Sequence, residues 1–352
     1  MNMRPVLNLC FVCLLLFALN GYSQKDSTLV VLENQDAELA YNRGIENFSN
    51  KAYQEAIQAF TEAIKFKPDF NKAFFNRGNV YFEMQQYKDA VEDFKKVTEL
   101  DSNDVQAWYL KGRSNQLLGK QDEAFDDFSK AIDKGSKDAK AYYFRGQIQF
   151  LKDNFDGALD DFTNAIAIDN KYAVAYNDRG STYRKMEKYD EAIADYRKAT
   201  ALDASLDYAF NNLGSVLRKK EKFDDAIDAY TQAIRANANS YIAYNNRGSA
   251  KFEKKDYKGA AEDFNKALKI KNDYLPALNN LAATKIKDKD YKGAVEEYTK
   301  IIQQDANYGY AYLNRGIAYE ELRMLKEACA DWTKAKELGV NAVNQFMSDC
   351  KQ

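Results

Sequence analysis

Asparagine recurs along this chain at a fixed step of 34 residues. One series runs through Asn42, Asn76, Asn212, Asn246, Asn280 and Asn314; a second, one position earlier in register, runs through Asn177, Asn211, Asn245 and Asn279. A carboxamide both donates and accepts, so a row of them can bond an extended main chain without reading its side chains. In the early part of the chain the second position carries aromatic residues instead, Tyr41, Phe75, Tyr109 and Tyr143. These residues are the candidate peptide-binding set. A ligand with an apolar segment followed by an extended polar one would suit the change from rings to amides. The bland alternative is that the amides bond neighbouring backbone and the rings pack between adjacent helices.

A second constellation is ionic. Arg77, Lys111, Arg145, Arg179, Arg247 and Arg315 are each followed sixteen residues later by an aspartate, namely Asp93, Asp127, Asp161, Asp195, Asp263 and Asp331. Leu213 is matched by Ala229, while Arg43 with Ala59 and Leu281 with Glu297 depart from the rule. Residue types that change together within one chain point to a pair meeting inside each repeat, a structural tie rather than a catalytic dyad. Catalysis has little else to draw on. Histidine is absent, which removes the commonest general base and transition-metal ligand. The reading is therefore no enzyme, no cofactor and no metal. Lys+Arg 51 against Asp+Glu 53 also argues against a nucleic-acid partner.

The elements that hold these residues follow from the same step. Gly44, Gly78, Gly112, Gly146, Gly180, Gly214, Gly248 and Gly316 keep it, with Ala282 the one substitution, and twelve residues after each stands an alanine, from Ala56 to Ala328. Self-similarity at such a period is the mark of an array. Within a unit the apolar residues fall at helical spacing: Tyr176, Gly180 and Tyr183 share a face of a first helix, and Ala192, Ile193, Tyr196 and Ala199 a face of a second. Small residues let the two helices approach. Aromatic residues four before the glycine (Phe74, Trp108, Tyr142, Tyr176) and sixteen after it (Phe60, Phe94, Phe128, Phe162, Tyr196) fill the space around that contact.

This pattern resembles the tetratricopeptide repeat family over nine consecutive units, 37–70, 71–104, 105–138, 139–172, 173–206, 207–240, 241–274, 275–308 and 309–342. The basic residue before the glycine and the survival of the closing proline only as Pro68 depart from the family pattern. The resemblance implies an all-α fold, an α-solenoid wound as a right-handed superhelix of nine 34-residue helix-turn-helix repeats, with first helices lining an inner face that takes peptides or protein segments. The asparagine series is similar to the amide ladder by which such a superhelix can grip a peptide backbone. Residues 343–352 read as a C-terminal capping helix, since an open stack leaves an apolar face bare. Phe346 falls at the aromatic site and Cys350 at the glycine site.

Residues 1–23 have the order of a signal peptide: Arg4, an apolar run from Val6 to Leu19, then Gly21-Tyr22-Ser23. Cleavage after Ser23, or retention as an anchor, are both open. Residues 24–36 form a lead-in. The expected location is exported, periplasmic or secreted, with no transmembrane segment in the mature chain. There Cys329 and Cys350 are the only thiols left. They can form a disulfide pinning the cap, or simply fill small apolar sites. The expected function is a non-enzymatic scaffold of the cell envelope that binds a protein or peptide along its groove; the alternative is a glycan-binding or nutrient-uptake accessory. Oligomeric state is not legible from the sequence.

Overall fold

A computed structural model describes residues 34–348 and 350. The leader at 1–23 and most of the lead-in fall outside the described residues. Every long element is an α-helix. Helix α1 covers residues 34–49, and then α2 (Tyr53–Phe66), α3 (Asn71–Glu83), α4 (Tyr87–Leu100), α5 (Val105–Leu117), α6 (Gln121–Asp133), α7 (Ala139–Leu151) and α8 (Phe155–Ile168) follow as hairpins in one compact unit. A second unit begins at Asp169. It holds α9 (Ala173–Lys185), α10 (Tyr189–Leu202), α11 (Asp207–Lys219), α12 (Phe223–Ala236), α13 (Tyr241–Glu253), α14 (Tyr257–Ile270), α15 (Leu275–Lys287), α16 (Tyr291–Gln304), α17 (Gly309–Glu321) and α18 (Leu325–Glu337). Each unit is a solenoid of two-helix repeats. The first helix starts at 34, three residues inside the expected lead-in.

Packing inside a repeat centres on the phased glycine. A Cβ on Gly44 would stand 2.5 Å from the Phe60 ring, and one on Gly180 would stand 3.1 Å from the Tyr196 ring and 3.3 Å from the Ala192 carbonyl. Glycine suits this place because the ring sixteen residues later packs closely against its helix. Phe60, Phe94, Phe128, Phe162, Tyr196, Tyr230, Phe264, Tyr298 and Trp332 are all fully buried there. Where that ring carries a polar atom, it finds a partner. Tyr196 Oη and Ser181 Oγ are 3.0 Å apart, and Trp332 Nε1 donates to the Leu313 carbonyl at 3.3 Å.

The turns between paired helices share one device. Lys51, Gln85, Asp153, Glu187, Glu221, Lys255, Lys289 and Arg323 all have φ near +60°, and Gly119 holds the same place at φ +77°. A left-handed residue ends the first helix by letting the chain fold back on its last carbonyls. Between repeats, Asp101, Asp169, Asp203 and Asp305 each accept from the amide two residues on at 2.9 Å. These Asx turns satisfy backbone groups that the helix ends leave over.

The C-terminus departs from expectation. Where a capping helix is expected from 343, the described residues make a 3-10 helix at Asn341–Gln345 and a turn over 346–348. Gly339 at φ +83° stops α18. It caps the array nonetheless. Phe346 stacks on Trp332 with ring centroids 4.9 Å apart, Val343 is buried, and Cys329 and Cys350 are joined by a disulfide with Cα atoms 5.5 Å apart.

Candidate functional site

The asparagines lie on the first helices, and in the second unit they bond one another. Asn212 Nδ2 donates to Asn177 Oδ1 at 3.1 Å, Asn246 to Asn211 at 2.9 Å, Asn280 to Asn245 at 3.1 Å and Asn314 to Asn279 at 3.0 Å. Each bond joins the later register position of one repeat to the earlier position of the repeat before. Within a repeat, Asn177 donates to Asp178 at 2.9 Å, and Asn245 and Asn279 donate to Asn246 and Asn280 at 3.4 Å. The amides therefore form a polar seam. Asn177, Asn245 and Asn279 are only 4, 6 and 7% exposed, whereas Asn212, Asn246, Asn280 and Asn314 are half-buried. A carboxamide has two N–H groups and two lone pairs. Asn246 uses one donor and one acceptor in the seam, while Asn280 Nδ2 donates both to Asn245 and to Ser249 Oγ at 3.3 Å and its oxygen accepts from Asn279.

The first unit is built differently. Asn76 Nδ2 donates to Tyr41 Oη at 2.9 Å, the same link with a phenol in place of an amide, and Asn42 is exposed. Burial raises the Tyr41 pKa, against the pull of the Asn76 bond. The aromatic candidates pack on the repeat's own core ring: Tyr41 on Phe60 at 5.8 Å, Phe75 on Phe94 at 5.9 Å, Tyr109 on Phe128 at 6.1 Å and Tyr143 on Phe162 at 5.8 Å. Tyr109 and Tyr143 are buried. Their faces are engaged in the core.

The ionic pairs meet as spaced. Arg77, Arg145, Arg179, Arg247 and Arg315 each hold both carboxylate oxygens of the aspartate sixteen residues on, at 2.7–2.9 Å. Lys111 reaches Asp127 at 2.9 Å. The two departures are resolved locally. Arg43 bonds Glu62 at the surface, and Lys285 bonds Glu297 at 3.1 Å. Burial pushes the Asp93 and Asp127 carboxyls above the usual range, despite Arg77 and Lys111. These pairs are ties between helices.

Two features of the first-helix face escape the sequence reading. Six residues before the glycine the second unit carries Val174, Tyr208, Ile242, Pro276 and Tyr310, where the first carries Glu38, Lys72, Gln106 and Lys140. Tyr208 and Ile242 are each 43% exposed and Tyr310 is 54% exposed. The signal was an apolar residue at the 34-residue step on an otherwise polar flank of the helix. The other feature is a cleft of about 850 Å³ over the ends of α9, α11 and α13, lined by Arg184, Ser215, Arg218, Lys219, Phe223 and Glu253 among others. A smaller one of about 160 Å³ adjoins it, where Arg218, Ser249, Phe252 and Asn280 converge. Asparagine seam, serines and basic residues thus share one face.

Models of the tetratricopeptide repeat match residues 46–85, 72–104, 105–133 with 139–172, 171–239 and 211–274. No curated protein matches the chain. Among solved structures, a tetratricopeptide repeat protein from Parabacteroides merdae is similar at 16% identity, covering 70% of this chain and 99% of its own, with a TM-score of 0.58. The APC/C hetero-tetramer Cut9-Hcn1 is similar at 14% identity over 90% of this chain and 76% of its own, with a TM-score of 0.55. PilF of Pseudomonas aeruginosa is similar at 20% identity over 60% and 97%, with a TM-score of 0.51. At these identities the likeness is one of fold.

Proposed function

The chain belongs to the tetratricopeptide repeat family, and from that premise we propose that it is a non-enzymatic scaffold of the cell envelope, binding a peptide or protein segment along the first-helix face of residues 169–350. The observation that carries this reading is the pairing of two parallel rows on that face. One is the amide seam from Asn177 to Asn314, with hydrogen-bonding capacity left over on its half-buried members. The other is the exposed row of Tyr208, Ile242 and Tyr310. An extended segment laid across them would find main-chain partners on one side and apolar contacts on the other. Contiguous exposed apolar residues rimmed by polar ones are the usual mark of an interaction surface. Export rests on the composition of residues 1–23.

A glycan ligand is the second reading, favoured by the exposed rings of Tyr208 and Tyr310 beside carboxamides. One experiment separates the two. Capture from an envelope extract is compared between the native chain and a variant with Tyr208, Ile242 and Tyr310 changed to serine. These side chains are exposed, so the fold survives their loss. A specific protein held by the native chain and lost from the variant is the expected result. A protein partner held equally by both sinks the groove reading, and retention on an oligosaccharide matrix instead favours the glycan. Amino-terminal sequencing of the exported protein should begin at Gln24.

A further inference from the structure

The cleft at the ends of α9, α11 and α13 has an uneven charge. Its walls carry Arg184, Lys185, Arg218 and Lys219 against Glu221 and Glu253. Cations in the last turn of a helix complement its dipole, which accounts for each of them singly but not for how they face one another. From one repeat to the next, a residue four after the phased glycine meets a residue five after it. At the α11–α13 junction that rule brings Arg218 Nη1 to Glu253 Oε1 at 3.3 Å. At the α9–α11 junction the same register pairs Arg184 with Lys219, two cations that line the cleft together. No ion pair holds Arg184, Lys185 or Lys219 among the described residues. Like charges placed together across a concave wall raise the local concentration of anions.

We propose that this cleft is the subsite for an acidic peptide segment, with glutamate or aspartate carboxylates received between Arg184 and Lys219 and apolar side chains resting on Tyr189 and Phe223. This deepens the scaffold reading above and rests on it. A peptide fits better than a bare anion, because the cleft has the size of a small-molecule pocket and the half-buried rings of Tyr189 and Phe223 line it together with the cations. Ser215 and the adjoining Ser249 and Asn280 carry the polar track onward to the amide seam. The partner segment would therefore alternate acidic and apolar residues and leave the cleft in extended form along the seam.

The test uses three short labelled peptides, in which leucine alternates with glutamate, with glutamine or with lysine, and the full exported chain. Fluorescence anisotropy should show the glutamate peptide bound, the glutamine peptide weaker by about tenfold or more, and the glutamate affinity falling as salt rises. The variant Arg184→Glu with Lys219→Glu should lose the glutamate peptide and gain the lysine one. Equal binding of the glutamate and glutamine peptides, or no binding of the glutamate peptide, overturns the acidic subsite. Either result leaves the groove reading standing if capture still depends on Tyr208, Ile242 and Tyr310. The peptide-side comparison needs no variant, and Arg184→Gln with Lys219→Gln serves as a milder substitution if charge reversal disturbs folding.

Discussion

Arg77 donates from Nη1 to the Thr61 hydroxyl of the preceding repeat at 2.8 Å, while its Nε and Nη2 hold the two carboxylate oxygens of Asp93 in its own repeat. One guanidinium thus ties three helices. Arg145 reaches Ser129, Arg247 reaches Thr231 and Arg315 reaches Thr299 in the same way, at 3.0–3.2 Å. The fork geometry of arginine makes this possible, and a lysine could not supply it.

Breaking one such tie should cost more than removing it. Burial already holds the Asp93 carboxyl above its usual range, so desolvation absorbs much of what the pair gains. Asp93→Asn with Arg77 intact leaves a cation without its counter-charge and should destabilise by about 3 kcal/mol. Arg77→Met with Asp93→Leu should cost less. Thermal melting of both variants decides it, and a double variant that melts lower than the single one refutes the account.

The phased glycine sets the second expectation. A Cβ on Gly316 would lie 2.4 Å from Trp332 Nε1, and one on Gly180 only 3.1 Å from the nearest Tyr196 ring atom. Gly316→Ala should therefore be the costlier change, about 1–3 kcal/mol of overpacking, and Gly180→Leu should fall in the same range or above. Ala282, which occupies the register naturally, is buried in the same repeat as a fully buried Tyr298, so one methyl can be fitted there. Melting temperatures of the two alanine variants should differ in this order.

At the turns, eight non-glycine residues sit where Gly119 sits. The left-handed region costs an L-residue about 1 kcal/mol or more, partly offset by the extra freedom glycine has when unfolded. Glu187→Gly should stabilise by about 0.5–1 kcal/mol, and Gly119→Ala should destabilise by a similar amount. The signs should be opposite in one melting series.

These cases mark what the sequence could tell. The 34-residue step gives the helix pairs, because Gly44 must face Phe60 and Ala56 must let the helices close. Arg77 with Asp93 was legible because both members vary together inside one repeat. The reach to Thr61 was not, since it crosses a repeat boundary; yet its trace is present. Thr61, Ser129, Thr231 and Thr299 stand sixteen before an arginine, whereas Lys95, Arg197 and Asn265 stand sixteen before Lys111, Leu213 and Leu281. The left-handed turn was hidden because charged residues fill it in most repeats. The amides were recognisable as a row, but only coordinates show that Asn246 bonds Asn211. The short C-terminal cap was beyond reach for another reason: helical register continues on paper past a glycine, Gly339, that ends it in space.

Alkaline pH should loosen the array through its buried tyrosines. Burial raises the Tyr109 and Tyr308 phenols to about 12 and pushes Tyr298 higher still. An unfolded tyrosine ionises near 10. Between those values the folded chain binds more protons than the unfolded one, so stability falls as pH rises. Their contribution is whole below pH 10 and is lost progressively toward 12, roughly 2–3 kcal/mol for Tyr109. Melting between pH 9 and 12 should show the decline, and Tyr109→Phe should flatten it.

The disulfide between Cys329 and Cys350 spans 21 residues and closes the cap over Trp332. Its main effect is on the unfolded chain, where a loop of that size is worth about 3 kcal/mol. In an array, stability is a sum over neighbouring repeats, so the loss on reduction should be local. Hydrogen exchange should quicken in α18 and the 3-10 turn after reductant is added, and stay unchanged in α2 to α8. Cys350→Ser should reproduce the effect without reductant. Trp332 offers a second signal, because release of Phe346 exposes its indole and should red-shift its emission, with Trp108→Phe used to remove the only other tryptophan. A reduced protein whose α18 exchanges as slowly as the oxidised one would show that ring stacking and Val343 hold the cap unaided.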